Sequence, residues 1–129
     1  MPRQHLFNHV DLRVRDGDRA AAFYDKLLGA MGLKRSTGME FTSYSRPEEG
    51  DNAQQWFGFT VDAGMVAGSG RVSFSAHSRE EVDRLAEVAR AAGALHWEAP
   101  HEAYGSEYYA TFFEDPDGNR LEIAHIQSD

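Results

Sequence analysis

A pattern of alternating apolar and polar residues occurs twice in this chain, and each occurrence runs into a helix start. Val10, Leu12 and Val14 alternate with His9, Asp11 and Arg13, and Val72, Phe74 and Ala76 alternate with Arg71, Ser73 and Ser75. A period of two describes a strand with one apolar face and one polar face. In the first copy Asp16 or Asp18 is placed to cap a helix with the apolar stripe Ala20, Phe23, Leu27 and Met31, closed by Gly29 and Gly32. In the second, Ser78 and Glu81 have capping-box spacing, Val82, Leu85, Ala89 and Ala92 form the stripe, and Gly93 is the terminator. Laying Arg71 on His9 brings Val72 onto Val10, Phe74 onto Leu12, Ala76 onto Val14 and Ser78 onto Asp16. Two copies of a unit this long predict two half-domains that share a sheet, not a solenoid.

The rest of each copy reads as strand. Lys34 to Arg46 and Gln54 to Val61 read as two strands separated by the polar loop PEEGDNA, and the glycine-rich stretch from Asp62 to Gly70 reads as the linker between copies. Short strands are expected around Leu95 to Glu98, at Tyr108 to Glu114 and at Arg120 to Ile126. Asp115-Pro116-Asp117-Gly118 joins the last two as a tight turn, with proline at its second position and glycine at its fourth. A single α+β domain over residues 1–129 follows, with module 1 at about 5–62, a linker at 63–70 and module 2 at about 71–127.

Bulk properties narrow the functional classes. The net charge of −8 argues against a nucleic-acid partner, which calls for a basic patch to displace phosphate counterions, and against an anionic membrane surface. The absence of cysteine excludes disulfides, thiolate catalysis and zinc–sulfur sites. The opening MPRQHLF has no apolar signal-peptide core, and no apolar run approaches the roughly 20 residues of a membrane span, so a cytoplasmic location is expected.

The polar strand faces carry the candidate chemistry: His9, Asp11, Arg13, Arg71, Ser73, Ser75 and Glu122, with Ala124 beside them. An antiparallel sheet often has one solvated face with no function. Here both copies present such a face among aromatics, which is the composition of a ligand cleft between the copies. Asp11, Arg13 and Ser73 are therefore candidate ligand contacts, and Asp11 with Arg13 reads as a cross-strand ion pair of little energetic value. Of the aromatics Trp56, Phe57, Phe59, Trp97, Tyr104, Tyr108 and Tyr109, most belong to the core or to dimer contacts. A subset, with Trp56, Tyr104 and Tyr108 as the candidates, would stack on a flat ligand.

The segments NHVDLRV, AFYDKLLGAMGL, RVSFSAHSREEVDRLAEVARAAGA and YYATFFEDPDGNRLEIAHI resemble, in this order and spacing, the vicinal oxygen chelate superfamily. That superfamily includes glyoxalase I, fosfomycin-resistance transferases, extradiol dioxygenases and bleomycin-resistance proteins. The resemblance spans nearly the whole chain, and the DPDGN turn followed by Leu-Glu-Ile is its most specific element. It implies two tandem βαβββ modules forming a cupped mixed sheet with the helices outside, a homodimer, and a divalent metal (Mn, Fe, Ni or Zn) serving a lyase, isomerase, dioxygenase or thiol transferase. Carried over residue by residue, His9 matches the first-strand metal ligand and Glu122 the last-strand carboxylate.

Arg71 stands where the family has its second-module histidine. Arginine has no acceptor lone pair and cannot ligate a metal, so His9 and Glu122 form an incomplete set. His77 lies about 20 Å further along the extended strand, and His125 is on the face opposite Glu122. His101 precedes the Tyr108 strand, and nothing requires it to reach the cleft. No carboxylate lies between Trp56 and Val61 to act as a first-module ligand, and Gly105 stands in a stretch where relatives carry a histidine. Arg71 and Glu122 are thus the residues on which catalysis or binding turns. Arg71 either pairs with Glu122 in place of the cation, or holds an anionic group of a substrate. Three readings result: an enzyme with a degenerate metal site, a metal-free drug or metabolite binder of the bleomycin-resistance kind, and a structural or regulatory domain without a small-molecule site.

Overall fold

The computed structural model describes residues 5–38 and 40–127. The chain divides into two compact units, 1–65 and 66–129. The first contains β1 (His9–Val14), α1 (Gly17–Ala30), β2 (Lys34–Thr37), β3 (Thr42–Ser45) and β4 (Trp56–Val61). The second contains β5 (Arg71–Ser75), α2 (Arg79–Ala92), β6 (Leu95–Glu102), β7 (Tyr108–Glu114) and β8 (Arg120–Ile126). These are two tandem βαβββ modules. Their ladders run β1-β4-β3-β2 and β5-β8-β7-β6, so each module closes a four-stranded mixed sheet of its own, where the repeat had suggested one shared sheet. In both, the first strand lies parallel to the last and the remaining pairs are antiparallel.

The alternation in β1 is realised directly. His9, Asp11 and Arg13 are exposed, while Val10, Leu12 and Val14 turn inward, Val14 completely. In the first module α1 buries Ala20, Phe23, Tyr24, Leu27 and Leu28, with Tyr44, Phe57 and Phe59 as the other large buried groups. In the second, α2 buries Val82, Leu85, Ala86 and Ala89 and packs on β6, β7 and β8, where Phe113, Leu121 and Ile123 are buried.

The caps differ in detail. Asp16, not Asp18, caps α1 by accepting from the Arg19 amide at 3.1 Å. Ser78 caps α2 by accepting from the Glu81 amide at 3.1 Å. The Glu81 carboxylate reaches one residue further back than the standard box, to the His77 amide at 3.0 Å. Gly93 terminates α2 at φ 108°, a left-handed conformation that costs glycine little.

Two strand expectations need correction. Lys34 to Arg46 is not one strand but the hairpin β2–β3, because Gly38 turns the chain and donates to the Phe41 carbonyl at 2.9 Å. The loop after it contains a 3-10 segment, Pro47–Asn52. The strand expected to stop at Glu98 continues to Glu102, because register shifts between Leu95 and His101 carry the ladder past the proline.

Candidate functional site

Register places a cluster of polar side chains on the face of the second sheet opposite α2. Along β5 and β8 the partners are Arg71 with Arg120, Ser73 with Glu122 and Ser75 with Ala124. Along β7 they are Tyr108 with Ile126, Ala110 with Ala124, Phe112 with Glu122 and Glu114 with Arg120. Paired residues share a face, so Arg71, Ser73, Tyr108, Phe112, Arg120 and Glu122 converge. The alternate residues, Leu121 and Ile123, are fully buried. His125 lies on their side, as parity predicts, its Nδ1 against the Ala76 carbonyl at 3.1 Å.

Glu122 is the buried member of the cluster, only 6% exposed. Its Oε2 accepts from the Tyr108 hydroxyl at 2.5 Å. Burial and the neighbouring carboxylate push the Tyr108 phenol up to about 12, because both disfavour a second negative charge, while a hydrogen bond with Ser73 acts in the opposite sense. Tyr108 and Glu122 thus form a hydrogen-bonded pair, with Ser73 beside them as the register partner of Glu122. Beside it lies a cavity of about 310 Å³ whose lining includes Ser73, Ser75, His77, Tyr108, Ala124 and His125.

Arg71 does not pair with Glu122. Its guanidinium lies over the Phe112 ring, 4.9 Å from the centroid, and no ion pair joins the two among the described residues. The expected substitution of a metal by an Arg71–Glu122 pair is therefore overturned: the phenol of Tyr108, not a guanidinium, takes the carboxylate. Tyr104, largely exposed, meets Tyr108 edge-on at 4.9 Å and Phe112 at 6.4 Å.

The corresponding face of the first sheet is aromatic. His9 stacks on its register partner Trp56 with ring centroids 4.2 Å apart and planes 2° from parallel, and Phe41 lies against the same indole at 5.5 Å. The His9 Nδ1 is engaged by the Asn8 side-chain oxygen at 2.7 Å. Trp56 lies flat because Gly58 leaves room for it: a Cβ at 58 would sit 2.9 Å from the indole and 2.4 Å from the Thr42 carbonyl oxygen. Asp11 and Arg13 do form an ion pair, at 2.8 Å, but along one strand and not across two, and Asp11 also accepts from Thr60 at 3.1 Å.

The other aromatics divide as follows. Phe57 and Phe59 are core. Trp97 donates to the Ala86 carbonyl at 2.9 Å beneath Arg90, and Tyr109 donates to Asp83 at 2.6 Å beneath Arg79. Reading the sequence missed Arg120 and Phe112. The signal for both was present, since each shares Glu122's parity along its strand or ladder, but the ladder register is a tertiary fact.

Two tandem βαβββ modules with a polar sheet face of this kind define the vicinal oxygen chelate class. The chain belongs to the Glyoxalase/Bleomycin resistance protein/Dioxygenase superfamily, whose family profile matches residues 6–123. It is 33% identical over 128 residues to an uncharacterised protein of Pseudomonas aeruginosa, covering 92% of this chain and 87% of that one. Among solved structures it is similar to a glyoxalase/bleomycin resistance protein from Albidiferax ferrireducens, with a TM-score of 0.80 and 27% identity, over 95% of this chain and 100% of the other. The fosfomycin resistance protein FosX of Listeria monocytogenes shares the fold at a TM-score of 0.71 and 17% identity, over 94% and 93% of the two chains.

The family's divalent metal does not fit the residues present. Among the described residues no group of three or more His, Cys, Asp or Glu side chains is placed to hold an ion. Of the two carried-over ligands, His9 is stacked on Trp56 and Glu122 is bonded to Tyr108. The remaining family position holds a permanent cation, Arg71, which would repel a second one.

Proposed function

We propose that the chain binds a small organic molecule on the polar face of its second sheet without a resident metal ion. Glu122 supplies the recognition group. The observation that carries this reading is the buried Glu122 carboxylate, which has the Tyr108 hydroxyl as its partner and no cation paired with it among the described residues. Burying polar oxygen atoms with few hydrogen-bond partners is costly, and a ligand hydroxyl or ammonium donating to the remaining lone pairs would offset that cost. The adjoining cavity of about 310 Å³ suits a small ligand, and Tyr104 and Phe112 supply apolar contact. Of the activities carried by relatives, sequestration of the bleomycin-resistance kind needs no metal and agrees with this arrangement. A metal-dependent lyase, isomerase or dioxygenase needs a donor that position 71 does not offer.

The test has two parts. Metal analysis of purified wild type beside Arg71→His should find the wild type without stoichiometric Mn, Fe, Ni or Zn. Stoichiometric metal lost on Glu122→Gln would refute the reading. A ligand-observed NMR screen of small hydroxyl- and amine-bearing compounds in EDTA should then yield binders that Glu122→Gln abolishes. A screen in which every binder is indifferent to Glu122→Gln, or in which none binds, refutes it equally.

A further inference from the structure

Arg71 and Arg120 are direct register partners on the parallel pair β5–β8, and both are exposed. Two arginine side chains therefore leave neighbouring backbone positions on one face. Like charges placed directly opposite one another destabilise a sheet. The chain had ample means to neutralise them, since it carries 21 acidic against 13 basic residues. Yet neither arginine forms an ion pair among the described residues. Three carboxylates share this face: Glu114 lies 3.0 Å from the His96 Nδ1, Glu122 takes the Tyr108 hydroxyl, and the exposed Glu98, register partner of Phe112, forms no ion pair with either arginine among the described residues. The Arg71 guanidinium lies over the ring of Phe112, the register partner of Glu122, a contact that does not neutralise it.

We propose that Arg71 and Arg120 together form an oxyanion site, and that the ligand of this face is an organic anion. Its carboxylate or phosphate lies between the two guanidiniums, and its hydroxyl donates to Glu122. The inference rests on the small-molecule reading given above and narrows its substrate class. The planar forks match an oxyanion in bidentate geometry, and a bound anion relieves the repulsion between them. An aromatic or other apolar body on the same molecule would lie against Tyr104 and Phe112. A conflict with local sheet stability that the fold itself leaves unresolved is characteristic of functional positions.

Isothermal titration calorimetry at low ionic strength in EDTA tests this with four probes: mandelate, phenyl phosphate, uncharged methyl mandelate and inorganic phosphate. At least one of the two organic anions should bind saturably, and the tighter of them identifies the oxyanion as carboxylate or phosphate. Methyl mandelate should bind at least about tenfold more weakly than mandelate, the loss expected for one charge-assisted hydrogen bond. Arg71→Gln and Arg120→Gln should each weaken the organic anion by about tenfold or more, with circular dichroism showing both variants folded. Glu122→Gln should weaken mandelate but not phenyl phosphate, which has no hydroxyl to donate. The inference is overturned if neither organic anion binds, if inorganic phosphate binds as tightly, or if the arginine variants leave affinity unchanged. Affinity lost in Glu122→Gln and kept in both arginine variants would overturn the oxyanion site while leaving the small-molecule reading in place.

Discussion

Asp115 organises the turn between β7 and β8, and with it the strand that carries Glu122. Its side chain is fully buried. Oδ1 accepts from the amides of Asp117 and Asn119, both at 2.9 Å, and Oδ2 accepts from the Asn119 side-chain amide at 2.9 Å. Asp115→Ala removes these three hydrogen bonds, two of them from backbone amides of the turn. Each such bond contributes about 1.5–3 kcal/mol, but the carboxylate's own burial cost is also removed, so the net loss should be about 3–4 kcal/mol. For a chain of this size that lowers the melting temperature by about 10–15 °C. Asp115→Asn separates geometry from charge. Its oxygen still accepts from both backbone amides, but its NH2 now faces the NH2 of Asn119, donor against donor. That variant should lose only about 1–2 kcal/mol. Urea unfolding followed by far-ultraviolet circular dichroism measures both. If asparagine costs as much as alanine, or if alanine costs less than about 1 kcal/mol, the carboxylate is not the organiser of this turn and the reasoning fails.

Gly58→Ala should cost about 2–3 kcal/mol, because the new Cβ would lie 2.4 Å from the Thr42 carbonyl oxygen. It should also shift the near-ultraviolet signal of Trp56, and an unchanged midpoint with an unchanged spectrum would show that β3 gives way freely. Ser78→Ala removes the α2 cap and should cost about 1 kcal/mol in the same unfolding assay. A loss below a few tenths would mean that another group takes over the Glu81 amide. The Tyr108 phenol is raised from 10.0 to about 12, so its contribution to stability is complete below pH 10 and is lost as pH rises towards 12. Phenolate absorbance should show a late-titrating group that Tyr108→Phe removes, and an unaltered titration curve in that variant would contradict the assignment.

Much of the fold is legible in the residues alone because its signals are local. Period-two alternation in β1 and β5, the caps at Asp16 and Ser78, Gly93 and the Asp115–Gly118 turn each act within a few residues. Those signals fail where a long-range ladder decides. Lys34 to Arg46 has strand character on either side of Gly38, and the β2–β3 ladder, with β3 paired in turn to β4, makes its second half a separate strand. The extension of β6 across Pro100 is likewise set by the register shifts of its partner β7.

The same division holds for the site. From the sequence alone, Glu122 and Arg71 are recognisable as the residues that matter, and arginine at position 71 as unsuited to ligate a metal, because a permanently protonated guanidinium has no lone pair in any fold. Their actual partners were decided by tertiary structure. The ladder register puts Tyr108 on the face of Glu122, where its hydroxyl reaches the carboxylate, Phe112 opposite Glu122 and beneath Arg71, and Arg120 beside Arg71. Hydrogen-bond and charge energies depend on separations of a few ångströms. Sequence spacing fixes such separations along one strand, but only the sheet fixes them across strands.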